Sequence, residues 1–329
     1  MTSRDRFLRA LRFEEVDRAP FNFWMDRTLL SSYEERFGPY FRVRHYGADV
    51  WECLGFFAAL GPVFPAGHEA WVSQDGVKQR APFCRSTAAL ATYEWRALDP
   101  AVVRDAVRRD RADLPDAAII LTVPGGFGAL DALRFHENVF LDLHDDPEAV
   151  EACLAGYTDR VCACLGSVAE EPFDAVYLQD DICSAQGPMI SAEMMERFYW
   201  RHNSRIVAEG RACGKPVLFH TDGRMDQALL DTCTDLGLLA VNPLQTHLHD
   251  YAWFKRRYHG RLAVYGGLDN TYAIGPRSSP AEVRGHVLSV FHTLGAGSGL
   301  CLSSHDIDGR TPPEIVETMV RTIVNECRY

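Results

Sequence analysis

The chain has 329 residues, with 34 lysines and arginines against 45 aspartates and glutamates, so its formal net charge is −11. Hydrophobic residues make up 47% of the sequence and charged residues 24%, which excludes a disordered or fibrous chain. The negative charge repels phosphate groups, so we expect no binding to nucleic acid or to a membrane surface. No apolar run approaches the ~20 residues that span a bilayer, and no secretory signal follows the start, which predicts a cytoplasmic protein.

The predicted elements alternate between short apolar runs and longer amphipathic segments. A helix is predicted over 3–13, with Thr2 or Ser3 as its N-cap, followed by a strand candidate at 19–24 and an ambiguous one near 49–54. Further strands are predicted at 118–123, 174–179, 216–219, 238–241, 262–265 and 299–302. The helices predicted between them include 147–165, 192–212, 224–236 and 280–294, the last with Ser279 as its N-cap.

This alternation is typical of βαβ units and a mostly parallel sheet. The number of units favours the α/β class and a single domain over residues 1–329, a (β/α)8 TIM-type barrel rather than an open sheet. The irregular stretch 54–96, rich in aromatic residues and prolines, is interpreted as a lid or insertion in the N-terminal third. Six aromatic residues could line a pocket, although such residues are more often core: Phe21, Phe23, Trp24, Phe56, Phe57 and Trp71.

The ten cysteines include no Cys-x-x-Cys pair. In a reducing compartment we expect most of them to be small buried hydrophobic residues rather than metal ligands or disulfides. Cys162 and Cys164 lie in a predicted helix, where side chains two apart point in different directions.

Chemically active side chains follow nearly every predicted strand in the second half of the chain. In a parallel barrel the carboxyl ends of the strands form the active-site face, so we expect these side chains to surround a site. The residues at these ends that we expect to contact a small-molecule substrate are Gln179, Asn242, Gln245 and Asp269.

The most specific motif is His220-x-Asp222. Residues two apart on a strand share a face, so the imidazole and the carboxylate can converge just beyond the strand, and His305 follows another strand. Two histidines and one carboxylate with an open position describe a catalytic zinc site and equally the facial triad of non-haem iron enzymes. The alternative is that these residues only hydrogen-bond the loops together.

Asp180 and Asp181 are the candidate catalytic acids. A carboxylate held beside a second carboxylate has a raised pKa and can act as a general acid or base, or it can bind a substrate cation. Alternatively, one of them caps the following turn and the other is solvated. Gly125, Gly126 and Gly128 are interpreted as tight-turn glycines, because their spacing fits no dinucleotide or phosphate-binding fingerprint.

The order of these motifs resembles the uroporphyrinogen decarboxylase superfamily, which includes porphyrinogen decarboxylases and corrinoid-linked methyltransferases. The resemblance rests on an opening helix followed by Asp17-Arg-Ala-Pro20 and on five later segments. These segments are 174–181, 187–191, 215–223, 265–269 and 302–314. The resemblance implies a (β/α)8 barrel with its site at the carboxyl ends of the strands, and it allows a homodimer.

Two departures from the family pattern indicate a different chemistry. The porphyrinogen decarboxylases carry several arginines near the N-terminus, whereas the corresponding segment here, 21–27, has only Arg27; with a charge of −11, this disfavours a polyanionic porphyrinogen. The corrinoid-linked methyltransferases hold zinc with His-x-Cys and a distant Cys. Here Asp222 and His305 stand in place of the two cysteines, which implies a stronger Lewis acid.

The resulting prediction is a metal-dependent transferase that binds a divalent metal, zinc in preference to iron, through His220, Asp222 and His305. The resemblance implies methyl transfer or demethylation of a small molecule, with a corrinoid on a partner protein as methyl donor. Three alternatives stay open. The first is a lyase or decarboxylase of a small carboxylated metabolite, with Asp180 or Asp181 as proton donor. The others are a non-haem iron enzyme using the same triad and a non-catalytic barrel with a vestigial site.

Overall fold

A computed structural model describes residues 1–60, 70–73, 76–79 and 82–329, with only the backbone of the two short ranges. Eight strands form one sheet. We number them β1 (Phe21–Met25), β2 (Val50–Cys53), β3 (Ala118–Pro124), β4 (Ala175–Gln179), β5 (Val217–His220), β6 (Ala240–Asn242), β7 (Ala263–Leu268) and β8 (Leu300–Ile307). Neighbours along the chain pair in parallel from β2 to β8, and β8 returns to pair in parallel with β1.

The sheet is nearly closed between β1 and β2. No strand ladder joins these two strands among the described residues, but Asp49, directly before β2, connects them. Its backbone N–H donates to the carbonyl oxygen of Phe21 at 2.8 Å, and its carboxylate accepts from the N–H of Phe21 at 3.0 Å. The predicted (β/α)8 barrel is therefore confirmed.

Helices surround the barrel and cover its N-terminal end. They span Ser3–Leu11, Arg27–Phe37, Phe41–Arg44, Gly55–Leu60, Thr87–Ala91, Pro100–Asp113, Gly126–Arg134, His136–Asp145, Pro147–Ser167, Ala192–Met194, Arg201–Ala212, Gln227–Asp235, Tyr251–Tyr258, Pro280–Leu294 and Pro313–Glu326. Both predicted N-caps are present: the Thr2 hydroxyl accepts from the N–H of Asp5, and Ser279 forms a capping box with Glu282. Within the described part of the chain, no helix combines the length and apolar composition needed to cross a bilayer.

One helix prediction is wrong in detail. The segment predicted as a single helix over 192–212 contains a π-helical stretch, Met195–Trp200, ahead of the α-helix Arg201–Ala212. A π-helical turn changes the periodicity of the apolar residues only slightly. The spacing of Met195 and Phe198, which are both buried, therefore does not distinguish a π-helix from an α-helix.

The barrel interior has its own apolar core. Its walls are lined mainly by small residues, and this leaves room for two tyrosines and for the opening helix, which inserts Phe7 and Leu11 at the N-terminal end. The small residues are Ala118, Ala175, Ala240 and Ala263, and the tyrosines are Tyr177 and Tyr265. Because this end is filled, the barrel is open to ligands only at the carboxyl ends of its strands.

The predicted insertion contains short elements. The helices Gly55–Leu60 and Thr87–Ala91 flank an antiparallel pair of strands, Ala70–Ser73 and Gly76–Gln79. The rest of the predicted insertion, at 61–69, 74–75 and 80–81, and the side chain of Trp71 lie outside what the structure describes. The cysteine prediction holds, since eight of the ten are buried and Cys162 and Cys213 are half-buried, all of them free thiols.

Candidate metal centre

The inward faces of the strands change from apolar to polar toward their carboxyl ends. Leu218 lies in the barrel core, and His220, two residues later on β5, points the same way. Gln179 and Asn242 are placed likewise on β4 and β6. The sheet register aligns Gln179 with His220 and His220 with Asn242, which puts the three in one row at the mouth of the barrel.

The structure brings His220, Asp222 and His305 together. One ligand atom from each lies within 4.8 Å of the other two. The two imidazole rings stack with centroids 5.2 Å apart and planes 18° from parallel. Oδ1 of Asp222 is buried and has no hydrogen-bond partner among the described residues. A buried oxygen without a partner next to two imidazoles fits a divalent cation, since burial of an unpaired carboxylate oxygen is otherwise unfavourable.

Asn242 fixes the orientation of the His220 ring. Its amide nitrogen donates to the carbonyl oxygen of Tyr265, so its Oδ1 must face the other way, where it accepts from Tyr177 at 2.7 Å. The same Oδ1 lies 2.6 Å from Nδ1 of His220. Because Oδ1 can only accept, Nδ1 carries the proton, and in the neutral ring Nε2 keeps a lone pair for a metal. Asn242 was predicted to contact substrate; the structure gives all its polar atoms protein partners.

Asp181 lies on the opposite side of His220. Its Oδ1 lies 3.4 Å from Nε2 of His220 and accepts from the backbone N–H of Asp222 at 2.8 Å. Burial alone lowers the pKa of His220, but the hydrogen bond and charge of Asp181 outweigh it and raise the pKa to about 9. Without a metal, Nε2 therefore carries a proton that faces Asp181 at neutral pH, and a metal that binds Nε2 displaces this proton. Partial desolvation opposes ionisation of Asp181, but its contacts with His220 prevail and lower its pKa to about 2.

Asp180 has a different place from Asp181. It is 3% exposed, and its carboxylate accepts from the backbone N–H groups of Phe127 at 3.2 Å and Gly128 at 2.8 Å and from the side chain of Asn203 at 2.7 Å. It therefore caps the helix Gly126–Arg134 from a neighbouring strand. Burial raises the pKa of Asp180 to about 6 against these hydrogen bonds, which favour the carboxylate.

Gly125, directly before the helix Gly126–Arg134, is explained by the carboxylate of Asp180. A Cβ on Gly125 would lie 2.3 Å from Cγ of Asp180, so only glycine leaves room for the cap. The segment builds the start of the helix Gly126–Arg134, with Gly125 as its N-cap.

Two of the four predicted substrate contacts lie away from the cavities at the barrel mouth. Oε1 of Gln245 accepts from the N–H of Gly223, which holds the loop after His220. The carboxylate of Asp269 accepts from the N–H groups of Thr271 and Tyr272 and so shapes its own turn. Gln179, by contrast, lines both cavities described next.

Two cavities meet at the triad. The larger, of about 470 Å³, is mostly apolar and is lined by His220, Asp180 and Asp181 together with Trp95, Phe127 and Tyr157. The smaller, of about 260 Å³, is lined by His305, Trp24, Tyr177 and Asn242. Gln179 and Phe57 belong to both walls. The two histidines of the triad therefore face two adjoining binding spaces, His220 the larger and His305 the smaller.

The sequence interpretation missed Glu52 and Ser304, which also line the smaller cavity. Glu52 is a lone charged residue inside an apolar strand, a signal that was present in the ambiguous segment near 49–54. Of the six aromatic residues considered as pocket walls, Phe21, Phe23 and Phe56 are buried in the core, whereas Trp24 and Phe57 do line cavities.

Comparison with known proteins agrees with this architecture. The model of the family described as uroporphyrinogen decarboxylase (URO-D) matches residues 71–325, more than half of the chain. The chain belongs to the uroporphyrinogen decarboxylase family. Among solved structures, a methyltransferase from Methanosarcina mazei is similar to this family member, with a TM-score of 0.75 and 16% identity over 98% of both chains. This likeness shows that the two share a fold.

A B12-independent methionine synthase from Shewanella sp. W3-18-1, solved with selenomethionine, matches more weakly. Its TM-score is 0.48 and its identity 9%, over 94% of this chain and 92% of that one. A search of curated proteins finds no match. Family membership and the shared barrel are therefore established by the family model and by the first of these structures.

Proposed function

We propose that this family member is a metal-dependent transferase that moves a methyl group to or from a small molecule, with a divalent cation held by His220, Asp222 and His305. The observation that carries the proposal is the position of the triad, with His220 in the wall of the larger cavity and His305 in the wall of the smaller one. A transfer reaction needs two reactants at one centre. Two adjoining cavities allow one reactant to bind on each side of that centre.

Imidazole nitrogen and carboxylate oxygen suit zinc, the first candidate, and also iron. When bound, such a cation polarises a substrate oxygen or activates a bound nucleophile. The chain's own residues prepare the site. Asn242 keeps the proton of His220 on Nδ1, and Asp181 accepts from the N–H of Asp222 and so positions the loop that carries this ligand.

The other reactant is proposed to be a corrinoid carried by a partner protein that docks at the barrel mouth. This part of the proposal is supported by the motif order shared with corrinoid-linked methyltransferases and by the likeness to the Methanosarcina mazei methyltransferase. The larger cavity is mostly apolar and opens at the carboxyl ends of the strands, where a partner can approach.

A lyase acting on a small carboxylated metabolite is the second candidate. Asp180 lines the larger cavity, and its pKa of about 6 leaves a fraction of it protonated near neutral pH, as a proton donor requires. Against this role, both its oxygens already accept hydrogen bonds from the helix Gly126–Arg134 and from Asn203.

The test incubates zinc-loaded protein with reduced cobalamin and a panel of small methylated compounds, and follows methylcobalamin by its absorbance. The proposal predicts methylcobalamin with at least one compound for the wild type, and none for His220→Ala. Release of CO2 from a parallel panel of carboxylated compounds, without any methylcobalamin, would instead support the lyase. No methyl transfer from any compound would contradict the proposal.

A further inference from the structure

The smaller cavity contains a buried carboxylate that is only half satisfied. Glu52, on β2, is 3% exposed. Its Oε1 accepts from the amide of Asn22 at 3.1 Å and from the hydroxyl of Tyr265 at 2.5 Å. Its Oε2 is buried and has no hydrogen-bond partner in the described parts of the chain. An unpaired carboxylate oxygen in a protein interior is unfavourable, so this one requires a partner that the protein itself does not provide.

The nearest buried cation does not supply that partner. Arg42 donates from Nη1 to the carbonyl oxygen of Phe23 at 2.9 Å and to Oδ1 of Asn22 at 3.3 Å. Its guanidinium lies over the rings of Trp24 and Trp51, 4.1 Å and 4.8 Å from their centroids. The positive charge of Arg42 therefore acts on Glu52 only over a distance. Among the described residues, Arg42 and Glu52 form no ion pair.

The other walls of this cavity suit a positive charge. Phe57 and Tyr177 contribute aromatic rings to the wall, and so does Trp24, which already has the guanidinium of Arg42 over its ring. Ser304 also lines the cavity, and its buried hydroxyl has no partner in the part of the chain described by the structure. The exposed carboxylate of Asp306 stands at the edge of the same space and would repel an anion.

We propose that the smaller cavity binds the protonated amino group of a small molecule, which donates a hydrogen bond to Oε2 of Glu52. A hydroxyl group would make the same bond, but as a neutral group it would gain no charge attraction from the carboxylate, with which Arg42 forms no ion pair. A quaternary ammonium would balance the charge but has no N–H to donate. A protonated amine does both, and Ser304 offers it a second acceptor.

Because His305 lines the same cavity, an amine held by Glu52 places the rest of its molecule beside the candidate metal centre. Only this last point rests on the proposed function, since it makes the bound amine a reactant. The recognition of the amine by Glu52 stands on the cavity alone.

The test measures binding of benzylamine and of benzyl alcohol, which match in shape, by calorimetry at neutral pH. The wild type is expected to bind benzylamine about tenfold more tightly than benzyl alcohol, because a hydrogen bond between charged groups is stronger than one from a neutral hydroxyl. In Glu52→Gln the two should bind within twofold of each other, and Ser304→Ala should reduce the preference about threefold. Glu193→Gln, an exposed acid on the outer helices, serves as the matched control and should keep the full preference.

Equal binding of the two compounds to the wild type, or a preference that survives Glu52→Gln, would overturn the proposal. Tighter binding of benzyltrimethylammonium than of benzylamine would also overturn it, because that cation cannot donate. His220→Ala separates this proposal from the proposed function. If this variant has lost methyl transfer but still prefers benzylamine, the amine site stands by itself. If wild-type methyl transfer succeeds while the preference is absent, only the amine site is contradicted.

Discussion

Nδ1 of His220 lies 2.6 Å from Oδ1 of Asn242, which receives a second hydrogen bond from Tyr177. This contact decides which imidazole nitrogen is free. A metal ligand on a strand is oriented by the hydrogen bond of its other nitrogen, and here the amide of Asn242 makes that bond from the neighbouring strand.

Replacing Asn242 by leucine should weaken metal binding about 10- to 100-fold, because the His220 ring loses the partner that orients it. The measurement is a competition titration of zinc against a chromophoric chelator. Asn242→Asp keeps an acceptor for Nδ1 and should recover part of the loss. Unchanged zinc affinity in Asn242→Leu would show that the contact does not matter for the site.

Asp222 and Asp181 both lie close to His220, but only Asp222 belongs to the group of mutually close ligand atoms. We therefore expect Asp222→Asn to lose most of its bound metal, and Asp181→Asn to retain more than half. Metal content after dialysis distinguishes them. The opposite ranking would assign the carboxylate ligand to Asp181.

In the motif resemblance to corrinoid-linked methyltransferases, Asp222 and His305 stand at the positions of two cysteines. The double variant Asp222→Cys with His305→Cys should bind cobalt with a thiolate-to-metal charge-transfer absorption that the wild type lacks. Absence of this band from a folded, cobalt-loaded double variant would mean that neither position binds the metal.

Gly125→Ala should destabilise the protein by about 1–3 kcal/mol, because a Cβ there would overlap the side chain of Asp180. Gly285→Ala is the matched control: its Cβ would meet nothing within 4 Å, and it lies in the exposed face of the helix Pro280–Leu294. That variant should gain about 0.5–1 kcal/mol from helix propensity. Urea unfolding measures both, and equal effects would contradict the packing of Asp180 against the glycine.

The raised pKa of Asp180 predicts how stability depends on pH. Between its ordinary value of 3.8 and its folded value of about 6, the folded state holds a proton that the unfolded state has released. The contribution of Asp180 to stability therefore falls as pH rises through this window, by at most about 1.4 kcal/mol per pH unit.

Asp180→Asn should remove this slope from urea-unfolding free energies measured between pH 4 and pH 6. Asp308→Asn is the control, since Arg310 lowers the pKa of Asp308 to about 2 and the titration window of Asp308 lies below that range. An identical slope in wild type and Asp180→Asn would show that Asp180 is ionised throughout.

The sequence predicted the barrel because each strand is a short apolar run, and it located His220, Asp222 and His305 because polar residues must follow those runs where the barrel opens. It could not assign partners. Asp180 and Asp181 are adjacent and chemically identical, yet Asp180 caps the N-terminus of a helix, whereas Asp181 contacts His220. That difference depends on the helix Gly126–Arg134, which is over 45 residues away in sequence.

Similarly, the sequence offered Asn242 as a substrate contact because it ends a strand, but it could not show that the register also places Asn242 beside His220, whose ring it orients. Glu52 was overlooked because it is a single charged residue in an ambiguous strand, and the sequence does not show which residues contact it. Its importance appears only where Asn22 and Tyr265, from distant strands, occupy one of its oxygens and leave the other unpaired.

The central claim is that His220, Asp222 and His305 hold one divalent cation. It is tested most directly by metal analysis of protein purified without chelator, comparing wild type with His220→Ala and with His136→Ala, a histidine in the wall of the larger cavity but outside the triad. The account predicts about one equivalent of zinc or iron in the wild type and in His136→Ala, and a small fraction of that in His220→Ala. Equal metal content in all three proteins, or none in any of them, would contradict it.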